Sequence, residues 1–110
     1  MKEIHVIQSC SLPDREKAQE ISGLFKALSD VTRLQILMYL AENKEKKCVC
    51  DIWEMFPVGQ PTVSHHLKVL KSLQLIGGTR RGTWIDYQIT EKGMFVYNNI
   101  VSLFKGDDQQ

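Results

Sequence analysis

In the middle of the chain, the spacing of apolar residues changes from that of a helix to that of a strand. From Val63 onward, apolar residues recur at i, i+4 and i+7, which predicts a helix over 61–73. The Gly77-Gly78 pair ends that pattern, and from Ile85 every second residue is apolar, the period of a half-buried strand. The sequence therefore predicts a helix followed by a β-hairpin over 76–89.

Apolar residues at helical spacing predict two earlier helices, and these residues are Ile21, Leu24, Phe25 and Leu28, then Leu34, Leu37, Met38 and Ala41. Asp30 is expected to cap the second of these helices. Asp51 stands three residues before Glu54, as in a capping box, so a short third helix is expected with Asp51 as its cap. Thr90 is expected to cap a last helix over 91–105. The predicted fold is mainly α with a β-hairpin wing, a winged helix-turn-helix in the order α-α-α-α-β-β-α.

Length and composition are those of one small domain. The chain has 110 residues, of which 43% are apolar, and residues 16–105 are expected to form the domain between an arm at 1–15 and a frayed tail at 106–110. A helix face left over after folding would favour a homodimer. No membrane span or secretory signal is expected, which indicates a cytoplasmic protein without a membrane partner. Three cysteines in a reducing compartment argue against a disulfide scaffold.

The span from Met55 to Ile85 contains no Asp or Glu, so the surface that it forms should be locally positive although the net charge is only +1. Polar and basic residues on the predicted helix and wing suit double-stranded DNA: Gln60, Thr62, Ser64 and His65 for base edges or backbone, and Lys68, Lys71, Arg80 and Arg81 for phosphates or the minor groove. An ordinary solvated face is the alternative. A metal pair at His65-His66 is disfavoured because adjacent helical residues point about 100° apart.

Cys48 and Cys50 are the second informative feature. Two residues apart on a helix would put the thiols about 200° apart, whereas in an extended segment they face the same side. The pair is therefore expected at or before the start of the third helix. Neighbouring lysines and the helix start should favour the thiolate, which binds soft ions. Ordinary burial of two small residues and redox sensing are the alternatives.

Four segments resemble successive signature blocks of the arsenic-repressor (ArsR/SmtB) family, and they are LFKALSDVTRLQILMYL, KKCVCDIWEMF, QPTVSHHLKVLKSLQLI and GTWIDYQIT. The resemblance covers about residues 20–105. It implies a homodimer joined through the first and last helices, a palindromic operator, and release of DNA when an inducer binds. It also implies a recognition helix at Thr62–Leu73 and a wing at Ile76–Ile89.

The segment CVCD resembles the metal-binding box of this family, but Trp53 stands where the arsenic-type pattern C-V-C-D-L-C has a third cysteine. Relatives that sense cadmium or lead recruit N-terminal cysteines, which implies a site of Cys10, Cys48 and Cys50, with His5 as a weaker fourth candidate. Three thiolates suit As(III), Cd(II) or Pb(II). The second family site needs Asp and His on the last helix, and 91–105 has neither. No organic cofactor is expected.

These features predict a DNA-binding repressor that is released by a soft metal or metalloid ion. The alternative is a repressor of the same fold in which the cysteines sense oxidants. An enzyme is not expected, because no nucleophile paired with a base, phosphate-binding glycine loop or carboxylate pair is found. A protein-interaction module with the same fold is a further alternative.

Overall fold

The computed structural model describes residues 11–105. Within that range it has five helices and three strands: α1 (Arg15–Leu28), α2 (Val31–Glu42), β1 (Lys47–Cys48), α3 (Val49–Met55), α4 (Gln60–Ser72), β2 (Ile76–Arg81), β3 (Trp84–Ile89) and α5 (Glu91–Lys105). The mainly helical fold with a β-hairpin wing is confirmed, and β1 is an addition to the predicted order. The predicted tail at 106–110 lies outside the described residues.

The three strands form one antiparallel sheet in the order β1-β3-β2. The hairpin pairs Ile76 with Ile89 at its base and Arg81 with Trp84 at its tip. Gly82 takes the first position of the tip turn with φ +64°, a conformation that glycine adopts without a steric penalty. On the other edge, Cys48 of β1 pairs with Asp86. The wing is therefore joined to the segment that carries the cysteine pair.

Side chains cap the helices at two of the predicted places. The Asp30 carboxylate accepts a hydrogen bond from the Arg33 amide at 2.9 Å, and Thr90 Oγ1 accepts one from the Gly93 amide at 3.0 Å. The prediction that Asp51 caps the third helix is wrong. Cys48 is the N-cap, because the chain is extended up to that residue in β1 and turns into the helix directly after it.

The core lies where α2, α3 and α4 meet the sheet. Its largest fully buried side chains are Ile36, Leu37, Leu40, Ile52, Val63, Leu67, Leu70, Leu75 and Ile76. Complete burial of one such aliphatic side chain contributes about 1.5–3 kcal/mol. The predicted inner face of α4 is confirmed, so the opposite face of this helix is turned outward by the packing of its apolar residues.

The turn after α4 and the start of α5 are tightly fitted to each other. Gln74 has a left-handed φ of 63°, and the Leu75 amide donates a hydrogen bond to the Leu70 carbonyl at 3.1 Å. These two features end α4 in a Schellman motif. At the start of α5, Gly93 packs so closely on the chain that a Cβ there would overlap the Leu75 carbonyl oxygen. The start of α5 can therefore pack against Leu75 only because residue 93 is glycine.

The outer helices keep a large apolar surface in the single chain. Phe25 on α1 is 67% exposed, and Phe95, Leu103 and Phe104 on α5 are 70%, 72% and 70% exposed. Exposed apolar residues that cluster on a surface are typical of interaction sites. Among the helices of residues 11–105, none is both long enough and apolar enough to cross a bilayer.

Candidate nucleic-acid interface and cysteine pair

The outward face of α4 carries most of the residues that the sequence predicted for DNA contact. The helix begins without a side-chain cap, because its N-cap residue is Gly59. A proline follows in the first turn, where its missing N–H is not needed for a helical hydrogen bond. Because Val63 and Leu67 are fully buried, the rotation of the helix is fixed. The residues predicted for DNA contact that are left exposed are Gln60, Thr62, His65, Lys68 and Lys71. They present hydrogen-bonding groups and two cations on one accessible surface.

Ser64 differs from these residues. It is half-buried, and its Oγ accepts a hydrogen bond from the Trp53 indole Nε1 at 3.1 Å. The expectation that Ser64 lies with Thr62 on the outer face was therefore only partly right. Trp53 is the partner that sequence reasoning missed, because the contact joins two helices.

His66 faces the interior and anchors α4 to the junction of α1 and α2. It is 6% exposed, its Nδ1 accepts from Arg33 Nε at 3.2 Å, and its Nε2 lies 3.8 Å from Asp30. Burial lowers the pKa of His66 below its ordinary 6.5, and the charges of Arg33 and His65 lower it further, against the opposing carboxylate of Asp30. With His65 exposed and His66 buried, the two imidazoles do not present a joint metal site.

The spacing of α4 contained a signal for this burial that sequence reasoning did not use. Val63, His66, Leu67 and Leu70 stand at i, i+3, i+4 and i+7, so His66 falls within the apolar stripe.

The two predicted arginines of the wing differ in their surroundings. Arg80 is exposed, and among residues 11–105 it has no ion-pair partner. Arg81 makes a two-point contact with Asp86, with Nε and Nη2 donating to the two carboxylate oxygens at 2.8 and 3.0 Å. These hydrogen bonds lower the pKa of Asp86. Arg81 must therefore leave or share this carboxylate to reach a phosphate, whereas Arg80 is free to do so.

Cys48 and Cys50 lie on either side of the start of α3, so the prediction of a pair at or before the helix start is right for Cys48 and wrong for Cys50. Cys48 ends β1 with an extended backbone, and Cys50 is in the first turn of the helix. Their Cα atoms are 5.2 Å apart, and the two sulfur atoms are joined as a disulfide. The Cys50 amide also donates to Cys48 Sγ at 3.3 Å. The two sulfurs therefore face the same side of the chain.

The donor chemistry of this pair fits part of a soft-ion site. Two sulfur atoms that each bind one ion at about 2.3 Å lie at most about 4.6 Å from each other. The side chains of Cys48 and Cys50 can reach this separation once their disulfide is reduced. Within the described range, no group of three or more His, Cys, Asp or Glu side chains is placed to hold a metal. The predicted third ligand, Cys10, and the weaker candidate, His5, lie outside the described residues.

Comparison with known proteins identifies a family and several relatives. Residues 30–76 match the family described as bacterial regulatory protein, arsR family. The chain is 43% identical over 76 residues to an uncharacterised HTH-type transcriptional regulator of Methanocaldococcus jannaschii, over 69% of this chain and 84% of that protein. It is 43% identical to the arsenical resistance operon repressor of Bacillus subtilis, over 62% of this chain and 64% of that repressor.

A cadmium resistance transcriptional regulatory protein CadC homologue of Staphylococcus aureus is 31% identical, over 71% of this chain and 64% of its own length. The chain thus spans less than two thirds of the Bacillus and Staphylococcus proteins.

Solved structures with the same fold cover nearly the whole chain. A homodimeric winged helix-turn-helix DNA-binding domain from Mycobacterium bovis superposes with a TM-score of 0.69 at 27% identity, over 91% of this chain and 93% of that domain. NolR from Sinorhizobium fredii superposes with a TM-score of 0.73 at 23% identity, over 96% and 98%.

Proposed function

We propose, from the premise that this chain belongs to the arsR family of bacterial regulatory proteins, that it is a homodimeric repressor of an operator. Soft metal or metalloid ions release it from DNA by binding cysteine thiolates. The family consists of transcriptional regulators rather than enzymes. The observation that carries the proposal is the outward face of α4, which stands beside the wing on a span without acidic residues.

In this proposal, α4 enters the major groove and the wing contacts the neighbouring backbone or minor groove. Thr62 and His65 lie near the helix start and contact base edges, with Gln60 at the entrance. Lys68, Lys71 and Arg80 neutralise phosphates, and Arg81 joins them when it leaves Asp86. Ser64 remains one of the proposed DNA-binding residues, but its hydroxyl oxygen accepts a hydrogen bond from Trp53, which favours a role in positioning α4 over a base contact.

The homodimer is supported by the exposed apolar residues of α1 and α5 and by the homodimeric domain from Mycobacterium bovis. A palindromic site would match the two-fold symmetry of such a dimer.

The inducers in this proposal are As(III), Cd(II) and Pb(II), which thiolates prefer as ligands. Cys48 and Cys50 supply two sulfurs, and Cys10 on the arm at 1–15 supplies the third, with His5 as a weaker candidate. The names of two relatives, an arsenical resistance operon repressor and a cadmium resistance regulator, support this class of ion. An ion releases DNA only if it binds the DNA-free conformation more tightly, by the reciprocity of linked equilibria.

The DNA half of the proposal is tested by fluorescence anisotropy with a duplex that the protein itself selects from a random-sequence library. The association constant should fall steeply with salt, and Lys68→Ala should reduce the slope of log K against log[salt] by about 1. Lys17→Ala, a lysine on α1, is the matched control and should leave the slope unchanged. Absence of salt-sensitive binding to any duplex would refute a repressor and favour a protein-interaction module.

The ion half is tested on the reduced protein with As(III), Cd(II) and Pb(II) in turn. Absorption from thiolate to metal should grow to a stoichiometric end point, and the same ion should lower the affinity for the selected duplex. Cys48→Ser should abolish both effects, and Cys10→Ser should weaken both. DNA affinity that none of the three ions changes would rule out ion sensing.

A second function, redox sensing by the same repressor, is favoured by the disulfide between Cys48 and Cys50. In that case diamide or hydrogen peroxide should release the duplex and dithiothreitol should restore binding. The three ions should then have no effect. The short loop closed by a C-x-C disulfide makes this bond less favourable than a longer one, so ion sensing ranks first.

A further inference from the structure

Trp53 contacts both parts of the candidate DNA-binding surface. Its indole Nε1 donates to Ser64 Oγ on α4 at 3.1 Å. Its ring meets the ring of Trp84 on β3 edge-on, with centroids 6.1 Å apart and planes inclined by 67°. Trp53 itself lies on α3, one helical turn after Cys50. One side chain thus links the cysteine helix, the recognition helix and the wing.

Both contacts have a specific geometry. A half-buried indole N–H needs an acceptor, and Ser64 Oγ supplies it. The edge-on contact with Trp84 is an arrangement that aromatic rings prefer, and it adds attraction beyond that from burial of the two rings. Both contacts depend on direction as well as distance, so a turn of α3 relative to α4 breaks the hydrogen bond and a turn relative to the wing breaks the ring contact.

We propose that Trp53 is a positioning residue, which sets α4 and the wing relative to each other and transmits the state of the cysteine pair to both. This inference rests on the proposed function and adds the route by which it operates. Ser64 acts in it as the acceptor that holds α4, rather than as a reader of bases. The hydroxyl oxygen is already engaged by Trp53, which removes part of its capacity for a base contact.

The transmission follows from the length of α3. This helix has only seven residues and begins at the cysteine pair. Residues at i and i+3 share a helix face, so Cys50 and Trp53 move together when the first turn is displaced. The contacts of Trp53 with Ser64 and Trp84 occur in the form in which Cys48 and Cys50 are joined as a disulfide. Binding of an ion by the reduced pair changes the first turn directly, since Cys48 Sγ is its cap. The indole is then withdrawn from Ser64 and Trp84.

The test uses the full chain and two variants that each remove one partner of the hydrogen bond. Trp53→Phe keeps an aromatic ring without the donor, and Ser64→Ala removes the acceptor. Each should weaken binding to the selected duplex about 2- to 10-fold. The double variant should lose no more than the single ones, because both act on one interaction. Ser72→Ala, an exposed serine on the same helix, is the matched control and should change nothing.

The coupling is measured with Cd(II) as the probe, as the ratio of duplex affinities without and with the ion. This ratio should fall several-fold in Trp53→Phe and in Ser64→Ala. The Cd(II) affinity of DNA-free protein, read from thiolate absorption, should stay unchanged, which a merely structural role for Trp53 would not predict. Additive losses in the double variant, or an undiminished ratio in both single variants, would overturn the inference.

A spectroscopic readout separates this inference from the proposed function. The chain has two tryptophans, so Trp84→Phe leaves Trp53 as the only one. Its emission should shift when Cd(II) binds the reduced cysteines. Emission that stays constant while absorption shows Cd(II) binding would overturn the inference alone. If none of As(III), Cd(II), Pb(II) and diamide alters DNA binding of the wild type, the sensing part of the proposed function fails. Additivity of the losses in Trp53→Phe and Ser64→Ala then decides whether Trp53 positions α4.

Discussion

Removal of the buried imidazole of His66 should abolish a specific pH dependence of stability. Because the pKa of His66 is lowered in the folded protein, the unfolded chain binds the proton more readily. The resulting stability is complete above the unfolded pKa of 6.5 and is lost as pH falls from there toward the folded value. Between the two pKa values, the free energy of unfolding should fall by up to about 1.4 kcal/mol per pH unit.

The assay is urea unfolding between pH 5 and 8 at one fixed protein concentration. His66→Gln keeps an acceptor for Arg33 Nε but does not titrate, so its free energy of unfolding should vary less with pH than that of the wild type. His65→Gln removes the exposed neighbour and is the matched control, which should retain most of the wild-type slope because His65 is the smallest of the causes that lower the pKa of His66. Equal slopes for the wild type and His66→Gln would refute the assignment of His66 as a buried neutral imidazole.

Three further changes test the fold and the wing. Gly93→Ala should destabilise the protein by more than about 1 kcal/mol, because the new methyl group meets the Leu75 carbonyl, and an unchanged melting temperature would contradict this. Gln74→Gly should raise the free energy of unfolding by about 0.5–1 kcal/mol, since glycine adopts the left-handed conformation without penalty. Asp86→Asn should release Arg81 and steepen the salt dependence of duplex binding by about 1, whereas an unchanged slope would mean that Arg81 does not reach phosphate.

The helix and hairpin at the centre of the chain could be predicted because their patterns are periodic. The apolar positions of α4 lie on one stripe, and Gly82 marks the wing tip. The Gly77-Gly78 pair does not end the helix, since both residues lie in β2 and α4 ends at Ser72. β1 could not be predicted in this way, since two residues show no period. The start of α3 was misplaced for the same reason, because pairing of Cys48 with Asp86 in the sheet decides where the helix begins.

The exposed residues of the candidate surface were predicted better than its supports. Thr62 and Lys68 are exposed because the opposite face of α4 is apolar, which the sequence shows directly. The bond from Trp53 to Ser64 and the pairing of Arg81 with Asp86 depend on tertiary packing. No local pattern encodes such contacts.

The cap formed by Cys48 has a consequence for how cysteine substitutions must be interpreted. Serine is among the best N-cap residues, whereas alanine at an N-cap costs about 1 kcal/mol. A serine at position 48 would keep the helix start and the strand pairing intact while losing the soft ligand. An alanine would disturb both at once. Only the serine protein can distinguish insensitivity to ions from a damaged helix, and it would be a repressor that stays on its DNA whatever ion is present.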